Sequence, residues 1–150
     1  MKILTLAAAL ALLSAPAFAQ TEASIPTGDA EAGAALFERQ CVACHVAANE
    51  AGEVLAGRNA QVGPNLYGVE GRTPGIYPDF EYSDAMIAYG ETGVVWSEEN
   101  FVAYVLDPTD FLREALEDRR ARGKMAFQVR AEEDAISLYA YLYALSRPAE

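Results

Sequence analysis

Both cysteines and the only histidine of this 150-residue chain fall within five positions, Cys41-Val42-Ala43-Cys44-His45. A disulfide across two intervening residues closes so small a loop that it stabilises little. A redox dithiol is expected in a βαβ setting, which the pattern of this chain does not offer. A structural zinc site needs four ligands, and with two cysteines and one histidine the fourth would have to be a carboxylate. Each of these readings uses the segment incompletely.

The rest of the chain shows what kind of fold surrounds it. Residues 1–19, MKILTLAAALALLSAPAFA, hold one lysine, an apolar run from Ile3 to Leu13 and the small-residue pattern Ala17-Phe18-Ala19, which reads as a secretory signal peptide. The run is about half the roughly 20 apolar residues that a membrane anchor needs. The chain therefore divides into a removed signal peptide (1–19), an N-terminal tail (20–27), one domain (28–147) and a C-terminal tail (148–150). Removal of the signal peptide takes away Lys2 and no acid, leaving a formal charge of −12. That charge argues against nonspecific nucleic-acid binding and favours solubility, a basic partner or a salty habitat that screens self-repulsion.

Within the domain, Asp29 caps a helix that runs into the cysteines. From Val46 to Tyr82 the chain is rich in Gly, Pro, Asn and Tyr without a sustained period, the pattern of a long ordered loop. Short helices follow in "YSDAMIAYG", started by Ser83 or Asp84, and in "SEENFVAYVLD", stopped by Pro108. A charged, helical stretch over 109–122 ends at Gly123, and "AEEDAISLYAYLYALS" repeats apolar residues at helical spacing. No strand stands out, so the expected class is all-α. Four or five short helices offer little core to hold so long a loop, and something other than side chains is expected to fill the middle.

Covalent attachment of a c-type haem satisfies both observations. Each cysteine sulfur adds to one vinyl group of the porphyrin, and the spacing lets Cys41 and Cys44 reach neighbouring vinyls from the first turn of one helix. His45 is then held under the iron as its fifth ligand. One haem c supplies the missing core. For the sixth position the soft-sulfur candidates are Met86 and Met125. Met86 sits in a helical stretch, where a methionine is ordinarily packing. Met125, in the glycine-broken "RGKMAF", is favoured because a loop can carry a side chain across the ring. His/Met ligation suits an electron carrier rather than an enzyme, since it raises the potential and closes the iron to oxygen and peroxide. The alternative is a haem enzyme or gas-binding sensor whose Met ligand is labile.

Together, "CVACH", "GRNAQVGPNLYGVEGRTPG", "YSDAM", Trp96, "ENFVAYVLDP" and "GKMAF" followed by "LYAYL" resemble the class I c-type cytochromes, closest to the bacterial c2 type, over about residues 28–147. The resemblance implies a small cytochrome c fold of short helices and long loops wrapped around one haem. It implies that the Pro64 carbonyl accepts the histidine N–H, that Arg72, Tyr82 and Trp96 neutralise or hydrogen-bond a haem propionate, and that Tyr104 reaches the methionine sulfur. It further implies a soluble, monomeric periplasmic carrier shuttling one electron from a bc1-type donor to a photosynthetic reaction centre or terminal oxidase. Met86 and Gly123 depart from the Asn and Thr of mitochondrial relatives.

Relatives dock through lysines around the haem edge, and Lys124 is the one lysine beyond the signal peptide. Basic residues are instead concentrated in 113–130, which is net +3. Docking is accordingly expected near Arg119, Arg120, Arg122 and Lys124, onto an acidic patch of a membrane electron-transfer complex.

Overall fold

A computed structural model describes residues 25–147. The expected signal peptide, most of the N-terminal tail and the C-terminal tail lie outside the described residues. Five helices follow in order: α1 (Ala30–Gln40), α2 (Asp84–Glu91), α3 (Glu98–Leu106), α4 (Pro108–Ala115) and α5 (Glu132–Leu145). None of the described helices is long and apolar enough to cross a membrane.

The helix starts follow from capping chemistry. Asp29 accepts from the amides of Glu31 and Ala32, and Ser83 accepts from Met86, each satisfying amide groups that the first helical turn leaves free. Ser97 and Asn100 form a reciprocal capping box on α3. Pro108 has a second role beyond ending α3. It occupies the first turn of α4, where its missing N–H costs nothing, and Asp107 caps it by accepting from Asp110. The charged stretch is helical only to Ala115, because Glu117 takes a left-handed turn (φ 51°) before the basic residues.

Two short strands qualify the expectation of no strand: β1 (Ala47–Ala48) and β2 (Val54–Ala56) pair antiparallel with a register shift between Ala47 and Ala48. Five residues, three of them alanine, carry no alternation that a sequence pattern could detect. The hairpin is closed by Asn49, whose side-chain oxygen accepts from the amides of Ala51 and Glu53. The class remains helical.

The core is built where α1 crosses α5. Gly33 lies so close to the Ser137 carbonyl and Tyr141 that no Cβ would fit, and Phe37, fully buried, meets Tyr141 at 5.7 Å between ring centroids. Leu36, Leu138 and Leu142 complete this seam, while Phe101 of α3 stacks against Tyr139 of α5. The long segment between the cysteine region and α2 packs Leu66, Tyr67 and Val69 against this core and is tied by backbone bonds to Val46 and Trp96. Its conformation positions the candidate site.

Candidate functional site

Cys41 is the C-cap of α1, so the cysteine turn closes a helix rather than opening one. The Cys44 and His45 amides both donate to the Cys41 carbonyl (3.0 and 2.9 Å), winding Cys41-Val42-Ala43-Cys44 into one turn with His45 directly behind it. The two cysteines are not joined in a disulfide. Burial, with Cys44 adding to it, pushes the Cys41 thiol up to about 12. A catalytic dithiol needs a lowered thiol pKa, so this environment speaks against redox exchange. Among the described residues no three His, Cys, Asp or Glu side chains gather as a metal-ion site, which removes the zinc reading.

His45 is fixed from two directions. Its Nδ1–H donates to the Pro64 carbonyl at 2.9 Å, and that bond assigns the free lone pair to Nε2. Gly63 lies against the ring, where a Cβ would sit 2.6 Å from Nδ1 and 2.8 Å from Nε2, and its own amide donates to the Cys44 carbonyl at 2.7 Å. Burial lowers the His45 pKa and the Pro64 bond acts against that shift, leaving the imidazole neutral near pH 7. A neutral imidazole with one fixed tautomer is a metal ligand in waiting.

The structure brings Arg72, Tyr82, Trp96 and Tyr104 into one neighbourhood. Gly71 N–H donates to the Trp96 carbonyl (2.8 Å) and Trp96 N–H to the Arg72 carbonyl (3.0 Å), so two remote segments are locked together through their backbones. The Arg72 guanidinium donates to the carbonyls of Asn65 (2.9 Å) and Tyr67 (3.2 Å) and lies over the Tyr77 ring. Burial lowers its pKa, with Tyr82, Tyr77 and Glu70 opposing, yet among the described residues no carboxylate pairs with it. A half-buried cation supported only by neutral oxygens fits an anionic group that belongs to a cofactor. Tyr82 is near both Arg72 and Tyr104: burial raises its pKa and the Arg72 charge opposes that. Trp96 packs on Tyr104 at 5.3 Å.

Met125 is half-buried against the core cluster. A Cβ on Gly123, two residues earlier, would lie 3.8 Å from the Tyr104 hydroxyl, so the loop carrying Met125 runs past that phenol. Met86, by contrast, is buried within α2 at 6% exposure, the packing role expected of it. Arg119, Arg120 and Arg122 are exposed. Lys124 is tied, its ammonium donating to the Glu81 carbonyl at 2.6 Å and meeting the Glu81 carboxylate at 3.2 Å.

Asn65 escaped the sequence reading. Its amide donates to the Ala48 carbonyl and the Tyr77 hydroxyl, while its oxygen accepts from the amides of Ala48 and Tyr67. One side chain thereby joins the hairpin to the Arg72 cradle. The signal was available in Asn following Pro64, a residue type whose side chain competes for nearby backbone groups.

The donor set, the fixed histidine and the unbalanced arginine fit a haem held by two thioethers. Comparison with known proteins gives the same answer independently. The family model for cytochrome c matches residues 30–146. The chain is 56% identical to cytochrome c2 of Rhodovulum adriaticum over 119 residues, covering 79% of this chain and 94% of that one. Against cytochrome c2 of Cereibacter sphaeroides the identity is 50% over 133 residues, 88% of this chain and 91% of the relative. The crystal structure of cytochrome c2 from Rhodobacter sphaeroides superposes with a TM-score of 0.77 at 50% identity, covering 81% of this chain and 99% of that one.

Proposed function

The chain belongs to the cytochrome c family and is of its c2 type, and from that premise we propose that it is a soluble, monomeric periplasmic carrier of single electrons between membrane electron-transfer complexes, not an enzyme. One haem c is attached to it covalently. When bound, that group supplies an iron that alternates between the ferrous and ferric states. On this reading residues 1–19 direct export and are removed, and residues 28–147 form the working domain.

Cys41 and Cys44 would hold the porphyrin as thioethers, each S–H adding across a vinyl group so that sulfur bonds one carbon and the proton goes to the other. His45 and Met125 would ligate the iron, Arg72, Tyr82 and Trp96 would hold a propionate, and Tyr104 would orient the Met125 sulfur. The observation that carries the reading is the bond from His45 Nδ1–H to the Pro64 carbonyl, which presents Nε2 in a fixed direction without any further adjustment. A histidine fixed in this way suits electron transfer, because little on that side then has to move when the charge changes.

Docking would use exposed Arg119, Arg120 and Arg122 beside the Met125 loop, with Lys124 contributing less because Glu81 already holds it. An acidic surface on a bc1-type complex, a photosynthetic reaction centre or a terminal oxidase is the complementary partner. The deciding experiment is the optical spectrum of the exported protein, with the weak near-infrared band of a sulfur-to-ferric-iron bond. Its presence, and its loss in Met125→Ala, is the expected result. A haem spectrum without the band in the native chain, together with rapid ligand binding by the reduced form, would replace the carrier by an open-site enzyme or sensor.

A further inference from the structure

One largely buried carboxylate has no part in the function proposed above. Only 11% of the Glu70 side chain is exposed. Its Oε1 accepts from Arg147 Nη1 at 2.5 Å and from Ser146 Oγ at 2.9 Å, while Oε2 is buried without a partner. Arg147 is held in turn over the Tyr143 ring, 3.5 Å from its centroid. The chain beyond α5 is thus clasped to the segment that leads into Arg72. A buried carboxylate with one oxygen unsatisfied is costly, and an apolar residue would fit the same place at less expense.

The position of this charge gives it an outlet. Glu70 sits inside the turn that the Arg72 N–H closes by donating to the Val69 carbonyl at 3.1 Å, and the sign of its charge favours the Arg72 guanidinium. A second acid in the neighbourhood, Glu98, is already satisfied by the amide and hydroxyl of Thr27, each at 2.7 Å. Tyr139 feels both acids and is pushed up to about 12 by burial, with both carboxylates adding, so it stays neutral. Arg147 is therefore the cation that balances Glu70. Without it, a net negative charge would compete with the cofactor's carboxylate for Arg72 and would favour ferric over ferrous iron.

We propose that Glu70 and Arg147 form a charge pair that sets the reduction potential of the haem from the far end of α5, acting through Arg72. The inference rests on the placement of Arg72 at a haem propionate. Its distinctive property is sign: removing either partner disturbs the same contact, but the two removals change the charge near Arg72 in opposite directions. Packing loss alone gives both substitutions one direction, because more water at the haem favours the ferric state either way.

The test is potentiometric titration of the intact holoprotein. Arg147→Gln is expected to lower the potential and Glu70→Gln to raise it, each by about threefold to tenfold in the oxidised-to-reduced ratio at fixed electrode potential, tenfold being about 59 mV for one electron. The double variant should return close to the native value, and Arg147→Lys should keep it. Two single shifts in the same direction, or none, would overturn the proposal. Arg72→Gln separates the two layers: if it leaves the potential unmoved while the Glu70 and Arg147 variants move it oppositely, Arg72 is not the route and the charge pair itself stands.

Discussion

The two sides of the proposed iron site are built differently. On the histidine side, everything needed lies within 41–45 and 63–64, and backbone bonds make the arrangement self-supporting: Cys44 and His45 donate to Cys41, Gly63 to Cys44, and His45 to Pro64. On the methionine side, residues 123–128 have no helix or strand of their own. That loop is moored by Lys124 to Glu81 at one end and by the Val129 amide to the Val105 carbonyl at the other. On the proposed ligation, His45 is fixed by local chemistry and Met125 is delivered by the fold. A site built this way would have a rigid anchor on one side and, on the other, a ligand whose hold depends on the rest of the molecule.

Three variants test that asymmetry, beginning with the severest. Replacing Cys41 and Cys44 together with Ser should abolish covalent haem entirely, seen as loss of haem staining on a denaturing gel, and the helical frame should lose cooperative unfolding because its middle is no longer filled. If the double variant still unfolds cooperatively with native helicity, the haem is not the missing core. Gly63→Ala comes next. Its backbone tolerates a side chain, but the new methyl group meets the imbedded imidazole ring from above, and about 1–3 kcal/mol of stability should be lost in urea unfolding, as in other overpacked sites. An unchanged midpoint would mean that the histidine side is softer than its bonding suggests.

Lys124→Gln should have the smallest effect on global stability, below about 1 kcal/mol, because Lys124 is half-exposed and Glu81 almost fully so. Its effect should appear locally instead, as a few-fold faster displacement of the methionine by added imidazole, followed by loss of the near-infrared band. Equal kinetics in native and variant protein would remove Lys124 as a mooring. The contrast between the Gly63 and Lys124 variants, one felt by the whole fold and the other by the loop alone, is the sharpest measure of the difference between the two sides.

Whereas the structure put the cysteine turn at the end of α1 and the capping box at Ser97, the sequence by itself determined the other local features: the cap at Asp29, a helix start at Ser83 or Asp84, the two cysteines with the histidine behind them and the residue types that a haem requires. These are legible because each depends on neighbours a few residues away, and spacing along the chain is then spacing in the molecule. The hairpin at Ala47–Ala48 and Val54–Ala56 was not legible, since alanine pairs carry no strand signature and the turn is closed by one Asn49 side chain. Nor was the second role of Pro108, which only the Asp107 cap discloses. Tertiary structure alone decided that Asn65 joins the hairpin to Arg72, that Glu81 holds Lys124, and that Glu70 meets Arg147 from 77 residues away. Such contacts are set by how the helices pack and by which charges burial forces together, and no short window of sequence contains both partners.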